Sequence, residues 1–303
     1  MPMSAAELQA AVREASAFDA RRLNRVLRVD ADRALVEVQA GIAWKSLAAR
    51  KDTTFMAAWN SPATVGQSVA ENAPGPDGVP LVRHIEAMTV VTADGELRRV
   101  SREVSPELFR LCVGGQGILG AAYSITLRLP SLRLAIQNAS TPVAWPSSDS
   151  RAAGLALDLL LPPDRLEPFL AQARSCCVEW RMEIRGVTVR QTSAEDETFL
   201  RWADRDYALA SLSLGEDRSL GNAVRSTQLR RALIDLAIAQ DGSFPVATTP
   251  EATRPQVEAC YPMLKAFMAE KRRLDPAGRL ASPWYRHHQS LLSRGTCEVR
   301  WAA

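Results

Sequence analysis

Two glycine-bearing stretches have the residue types needed to bind a ligand through the main chain. Residues 64–75 read TVGQSVAENAPG, and residues 114–120 read GGQGILG. Glycine lacks the Cβ that keeps a ligand away from the backbone, and it tolerates positive φ, so such loops can turn several N–H groups toward one bound group. Their spacing alone equally allows a helix C-cap at Gly114-Gly115 and a plain turn at residues 75–78.

Other side chains that could do chemistry are scattered along the sequence. His84 precedes an apolar run and is interpreted as structural, whereas His287 and His288 are interpreted as a solvated surface pair. No metal site is predicted, because a metal needs further ligands at suitable spacing. The five cysteines, an odd number without zinc-type spacing, are predicted to be reduced thiols. No Ser-His-Asp nucleophile motif is recognisable.

Short elements must position the glycine-bearing stretches. Ser4 and Glu7 have the spacing of a capping box, which predicts a helix with Leu8 and Val12 on one face. Further elements are predicted as a strand at residues 36–38, a short helix at 44–49, a hairpin of strands 85–91 and 97–100, a helix that Ser105 caps and Gly114 ends, and a strand at 123–129. In the last strand the residues predicted to face inward are Tyr123, Ile125, Leu127 and Leu129, and those predicted to face outward are Ser124, Thr126 and Arg128.

The composition changes after residue 138. Residues 138–153 are rich in Ser, Pro and Ala, which predicts a linker or surface loop. Beyond it, strands are predicted at residues 155–161, 180–189 and 207–214, and helices at 164–174 and around Leu229 and Leu233. A last helix, residues 257–273, is predicted to end before Pro276. The clusters at residues 204–206 and 230–231 are interpreted as solvated charges or salt bridges.

Charge and hydropathy exclude several classes of function. The 303 residues carry a formal charge of +3, and their Lys and Arg side chains are dispersed, so no nucleic-acid partner is predicted. No apolar run is long enough for a signal peptide or a bilayer span, which predicts a cytoplasmic protein without membrane insertion. Its oligomeric state is not predicted.

Four segments in this order resemble the FAD-binding type 4 (PCMH-type) fold of vanillyl-alcohol oxidase, the aldonolactone oxidases and the decaprenylphosphoryl-ribose oxidases. They are LNRVLRVDADRALVEVQAGIAWKSLAA, the TVGQSVAENAPG stretch, ELFRLCVGGQGILGAAYSITLRL and, near the C-terminus, KRRLDPAGRL. Together they cover most of residues 20–130 and 257–286. The middle of the chain is more weakly similar to the substrate cap of bacterial sugar-alcohol and lactone oxidases, with residues 241–247 in place of a tyrosine-bearing segment over the flavin.

The resemblance implies an α+β, two-lobed FAD-binding fold with a truncated N-terminal part and an α+β cap lobe. The implied domains are residues 1–132, a cap at 133–265, and a segment at 266–303 that returns to the first lobe. By position, the residues implied to contact the cofactor are Thr64, Val65, Gly66, Gln67, Glu71, Asn72, Ala73 and Pro74, with Gly120 and Ala121 near its adenine. Replacing Gly66 by Val is then expected to lower flavin occupancy with little effect on the fold.

The chain departs from the family at its start. Relatives carry a glycine-rich loop of the type R-G-G-G-x-S, which holds the two phosphates, whereas this chain has no glycine before Gly41. Gln67 stands in place of a family glycine and Pro74 in place of a common histidine. Non-covalent FAD that is weakly bound or absent is therefore expected, with Arg21, Arg22 or Arg25 giving salt-sensitive replacement contacts.

Two functions follow from the resemblance. The first is an FAD-dependent oxidoreductase that oxidises a CH–OH group of a small sugar-, polyol- or hydroxy-acid-like substrate by hydride transfer to flavin N5. The second is a flavin-less descendant of the fold that serves in binding, assembly or a non-redox reaction. Catalytic residues are not predicted, because the tyrosines expected near residues 241–247 are missing.

Overall fold

A computed structural model describes residues 2–16, 18–48, 63–75, 77–138, 156–215 and 220–293. The helices are α1 (Ala5–Arg13), α2 (Trp44–Ala48), α3 (Val65–Ala70), α4 (Pro106–Cys112), α5 (Leu129–Asn138), α6 (Leu166–Glu179), α7 (Leu220–Ala239), α8 (Arg254–Cys260), α9 (Leu264–Leu274) and α10 (Pro283–Ser293). The strands are β1 (Val26–Asp30), β2 (Leu35–Gln39), β3 (Ile85–Val91), β4 (Leu97–Ser101), β5 (Ala121–Arg128), β6 (Ala156–Leu161), β7 (Ile184–Thr192) and β8 (Tyr207–Leu214). The predicted mixture of helices and strands is confirmed.

The N-terminal half (residues 2–138) is built on a sheet whose described strands run in the order β1-β2-β5-β3-β4. Every pair in this order is antiparallel. The predicted hairpin is confirmed, since β3 pairs with β4 and Gly95 has the positive φ of +82° that its turn requires. Helix α1 begins at Ser4, whose Oγ accepts from Glu7 N–H, while the Glu7 carboxylate accepts from Met3 N–H rather than from the cap residue.

Strand β5 does not alternate simply between buried and exposed side chains, so the predicted pattern is wrong. Ser124 and Thr126, expected to face outward, are buried, whereas Tyr123, expected inside, is half-buried. The reason is that β5 is the central strand, where longer side chains of neighbouring strands cover small polar ones. Glu37 on β2, for example, accepts a hydrogen bond from Ser124 Oγ at 2.6 Å.

The C-terminal half (residues 156–293) contains a second antiparallel sheet with the strand order β6-β8-β7. Helices α6 and α7 contact one another, and α7 packs on β6. A composition-based linker was predicted from residue 138, but helix α5 extends to Asn138, and the rest of that stretch lies outside the described residues.

Two helix ends differ from the sequence predictions. Ser105 precedes α4 but has φ +52° and makes no side-chain cap bond, so Pro106 and Glu107 carry the start signal. The predicted last helix is two helices, because the chain breaks at Tyr261-Pro262 between α8 and α9. A further helix, α10, follows and carries His287 and His288, which were interpreted as a solvated surface pair.

A continuous hydrophobic core joins the two halves. It extends from Val36 and Val38 on β2 to Leu209 on β8 and Phe267 on α9. The C-terminal segment also returns to the first sheet, since Leu280 packs with Leu8 and Val12, and Arg279 donates to the carbonyl of Ala93 at 3.0 Å.

Two findings concern the membrane and the thiols. No described helix combines the length and the apolar character that crossing a bilayer requires. Free thiols are described at Cys112, Cys176, Cys177 and Cys260, whereas Cys297 lies outside the described residues.

Candidate functional site

Helix α3 carries the first group of predicted cofactor residues. Thr64 is its N-cap, with the hydroxyl accepting from Gln67 N–H at 3.1 Å. Thr64, Gly66, Gln67 and Glu71 are half-buried, whereas Val65 is fully buried in the core. The structure therefore leaves part of this helix accessible to a ligand.

Gly66 is required by the fold itself. A Cβ built on Gly66 would lie 2.8 Å from both the carbonyl oxygen and the Cβ of Ala40. Those separations are shorter than real Cβ contacts allow, so a side chain would push α3 away from the end of β2. The expectation that Gly66→Val would leave the fold almost unchanged is therefore wrong.

The main-chain N–H groups of the predicted site already donate to protein acceptors. Their bonds are Val65 to Ile42 O at 2.9 Å, Gly66 to Ala40 O at 2.7 Å, Gln67 to Thr64 Oγ1 at 3.1 Å, Glu71 to Gln67 O at 3.1 Å, Asn72 to Val69 O at 3.1 Å and Ala73 to Ser68 O at 2.8 Å. Pro74 has no N–H to offer. A diphosphate bound mainly by these amides does not fit the described residues, because each N–H would have to leave an acceptor.

Asn72 and its neighbours are covered by residues 195–203, which we call the bridging segment. Asn72 is 0% exposed, and its Oδ1 accepts from Val82 N–H at 2.9 Å while its Nδ2 donates to Glu195 at 3.3 Å. Trp202 Nε1 donates to the Asn72 carbonyl at 2.9 Å. Ala73 and Pro74 are buried as well. Asn72 thus meets the C-terminal half of the chain directly, whereas the main chain of Ala73 bonds to Ser68 and Leu81.

The second predicted group lies inside the packed sheet. A Cβ on Gly120 would meet Val90 Cβ at 3.0 Å and Cys112 Sγ at 3.1 Å, and Ala121 is buried with Leu8 and Val12 beneath α1. Packing alone explains the small residues here. The loop before them is more open: Gly117 has φ +68°, and a Cβ there would meet nothing within 4 Å.

A short turn precedes β1, in the stretch where the resemblance predicted that a phosphate loop is missing. The 3-10 turn Ala20–Arg22 packs against Gly41 so closely that a Cβ on Gly41 would lie 1.9 Å from the Ala20 carbonyl oxygen. Arg21 pairs with Asp19 at 2.5 Å, whereas Arg22 and Arg25 are exposed. The main chain of the turn that carries Arg21 and Arg22 thus lies directly against Gly41.

A cavity of about 460 Å³ is lined in part by the bridging segment. It is lined by Trp202, Asp204 and Tyr207, by Asp241 and Ser243 after α7, and by Cys260 and Tyr261 at the α8–α9 break. Its size is that of an ordinary small-molecule site. Sequence reasoning missed it: residues 204–206 were interpreted only as solvated or salt-bridged charges, and residues 241–247 only as a stretch lacking tyrosines.

The floor of the cavity is polar but neutral. Tyr207 donates to Asp204 Oδ1 at 2.7 Å, and burial, reinforced by this hydrogen bond, raises the pKa of Tyr207. Burial likewise raises the pKa of Cys260 and of Tyr261, whose hydroxyl donates to the Phe244 carbonyl. None of these three groups is an anion near neutral pH, so the carboxylates at the rim are the better proton acceptors.

The charges at the rim of the cavity balance. Arg201 and Arg205 face Asp204 and Asp241 around the opening, so two cations accompany two carboxylates. All four side chains are exposed, and the Arg205–Asp204 separation is 3.9 Å. Such a rim offers donors and acceptors without a strong net field, which suits an uncharged polar ligand.

The histidines are placed differently from one another. His84 is buried, as a structural role requires, with Nδ1 3.1 Å from Ser131 Oγ. His287 is exposed, but His288 is 1% exposed and donates from Nδ1 to the Trp284 carbonyl, so the prediction of a solvated pair is wrong for His288. Helix α10 turns His288 inward. No cluster of three potential metal ligands occurs among the described residues.

Comparison with known proteins gives one match. Residues 4–101, about a third of the chain, match the family model of an FAD binding domain (type 4). No curated protein matches the chain. The matched range includes Thr64 to Pro74 but ends before Gly120. The family matched in this N-terminal range is typical of FAD-linked oxidases and dehydrogenases.

Proposed function

We propose that this chain is an FAD-linked oxidoreductase that oxidises a CH–OH group of a small polar substrate. The observation that carries the proposal is the match of residues 4–101 to an FAD binding domain. Thr64, Gly66, Gln67 and Glu71 are the predicted contact residues that remain partly accessible. FAD would be non-covalent and held by side chains, because the neighbouring amides are already bonded.

The cavity that the bridging segment lines is the proposed substrate site. Its balanced rim favours a sugar- or polyol-like molecule over a charged hydroxy acid, and Trp202 and Tyr207 offer apolar ring surface. Asp204 would accept a hydrogen bond from a substrate hydroxyl, and Tyr207 would hold its carboxylate in place. Trp202 connects this cavity to the N-terminal half through the Asn72 carbonyl.

FAD titration of the purified protein tests the proposal. We expect added FAD to co-elute with the protein on gel filtration at low salt and to be lost at high salt, because exposed cations are screened. Arg22→Gln with Arg25→Gln should weaken binding about tenfold at low salt and flatten the salt dependence. Arg28→Gln is the matched control, because Arg28 is already paired with Asp30 at 3.0 Å.

A second candidate is a flavin-less member of the same fold that binds a polar ligand in the cavity. The saturated amides from Val65 to Ala73 favour it. Absence of any flavin binding at low salt, with polyol binding retained in calorimetry, would select this second function over the first.

A further inference from the structure

The polar groups of Asn72, at one end of the predicted cofactor face, are bonded to protein atoms. Its N–H donates to Val69 O, its carbonyl accepts from Trp202, its Oδ1 accepts from Val82 N–H, and its Nδ2 donates to Glu195. Asn72 also adopts φ +46°, a conformation that asparagine tolerates better than most residues. Main chain and side chain are therefore both committed to protein contacts.

The partner of Asn72 is an equally committed carboxylate. Glu195 is 2% exposed, and besides Asn72 it accepts from Glu197 N–H at 2.8 Å, from Thr198 N–H at 2.9 Å and from the Thr198 hydroxyl. A buried carboxylate requires such a set of donors, because leaving it unpaired would cost its full desolvation. Glu195 is thus fixed by its own segment and presents one oxygen to Asn72.

Further contacts fasten the bridging segment to the N-terminal half. Arg102 pairs with Glu197 at 2.6 Å and donates to the carbonyls of Ile85 and Val82. Phe199 N–H donates to Arg110 O at 2.9 Å, and Arg110 Nε donates to Glu197 O at 3.0 Å. The segment lies on the N-terminal half through several independent bonds, so it is an integral part of the structure.

We infer that the chain has converted the Asn72 end of the predicted cofactor face into an intramolecular docking point for the bridging segment. Asn72 then holds the two halves of the protein together, and neither it nor the buried Ala73 and Pro74 contacts a flavin. The inference is independent of whether FAD binds at the accessible side of α3, since it concerns the buried end of the same stretch.

A double-mutant cycle between Asn72→Gly and Glu195→Ala tests the inference, because glycine removes the side chain without straining the positive φ. Each substitution should lower the thermal midpoint by about 4–8 °C. The double variant should lose clearly less than the sum of the two. Glu37→Gln is the control partner for Asn72→Gly, and these two changes should be additive because Glu37 contacts Ser124 on β5.

FAD titration of Asn72→Gly completes the test. If the wild-type protein binds FAD, the variant should bind it with an affinity within about twofold of wild type. A variant that keeps the wild-type midpoint but loses FAD more than tenfold would overturn the inference, and so would an additive cycle. If Glu195→Ala fails to fold, Glu195→Gln serves in its place. A wild-type protein that binds no FAD contradicts the proposed function only, since the cycle is still measurable.

Discussion

The two regions implicated in function differ in what their polar groups do. In the stretch from Thr64 to Pro74, which falls within the family match, main-chain donors are bonded to neighbouring protein atoms. In the cavity lined by Trp202, Asp204 and Ser243, which lies outside the matched range, four exposed charged side chains and several buried polar ones surround an open volume of about 460 Å³. The stretch from Thr64 to Pro74, which has the recognisable sequence, has its main-chain donors bonded within the protein. The cavity, which the family match does not cover, is open.

This difference shows that packing alone can require glycines in a stretch with a recognisable sequence. Gly41 and Gly66 lie where a Cβ would collide with main-chain atoms, so the fold requires them whether or not a cofactor is bound, and a Cβ on Gly120 would be in tight contact with Val90 and Cys112. The bridging segment joins the two regions, because Trp202 lines the cavity and also bonds Asn72.

The largest expected effect on stability comes from replacing Gly41. Gly41→Ala would place its Cβ 1.9 Å from the Ala20 carbonyl oxygen, and relief requires moving the turn or β2. We expect a loss of about 3 kcal/mol or more in the free energy of unfolding, measured in urea. Gly186→Ala is the control, because the nearest atom to its Cβ is 4.0 Å away. Equal losses in the two variants would contradict the packing role of Gly41.

The next effect concerns the stability of the C-terminal half in acid. Burial, with a smaller contribution from His287, lowers the pKa of His288 to about 4 from an ordinary value of 6.5. The unfolded chain binds this proton more readily than the folded one, so stability is full above pH 6.5 and falls as the pH drops toward 4. The total loss is about 3 kcal/mol.

Replacing each histidine separately checks this assignment. The free energy of unfolding, measured in urea between pH 7 and 4.5, should depend less on pH in His288→Asn than in wild type, since the titrating group is gone. His287→Gln, on the exposed side of α10, should keep nearly the wild-type slope. A steep slope that survives in His288→Asn would assign the acid sensitivity to other groups.

A smaller loss in the free energy of unfolding is expected for a substitution at Gly66, the residue that best separates packing from ligand binding. Gly66→Ala brings its Cβ to 2.8 Å from Ala40, which should cost about 2 kcal/mol. The loss should be the same with and without added FAD if the residue acts only in packing. A variant as stable as wild type that binds FAD more weakly would instead make Gly66 a ligand contact.

Much of the N-terminal fold could be predicted, because its signals are local. The hairpin at Asp94-Gly95, the cap at Ser4 and the apolar run at residues 85–91 act within a few residues. The burial of Ser124 could not, because it depends on the central position of β5, which the pairing of distant strands decides. The prediction that His288 is solvated was wrong for a similar reason. Its burial follows from the inward-facing side of α10, a helix that was not predicted.

The candidate site was less predictable than the fold. Glycine positions indicated close approach of the main chain, but not whether the approaching atoms belong to a ligand or to Ala20 and Ala40. The bond between Asn72 and Glu195 joins residues 123 positions apart, and no local pattern signals it. Asp204 and Ser243 likewise meet only through the tertiary structure.

The smallest stability effect, and the most direct contrast with Gly66, is expected in the cavity. Tyr207→Phe removes a hydrogen bond of 2.7 Å to Asp204. Because the Asp204 carboxylate stays hydrated at the exposed rim, the free energy of unfolding should fall by only about 1 kcal/mol. Binding of a polyol, measured by calorimetry, should weaken clearly, because Asp204 is no longer held in place. Asp204→Asn should weaken it further at nearly unchanged stability, whereas Glu258→Gln, outside this cavity, should not affect it. Polyol binding that survives both cavity substitutions would move the substrate site elsewhere.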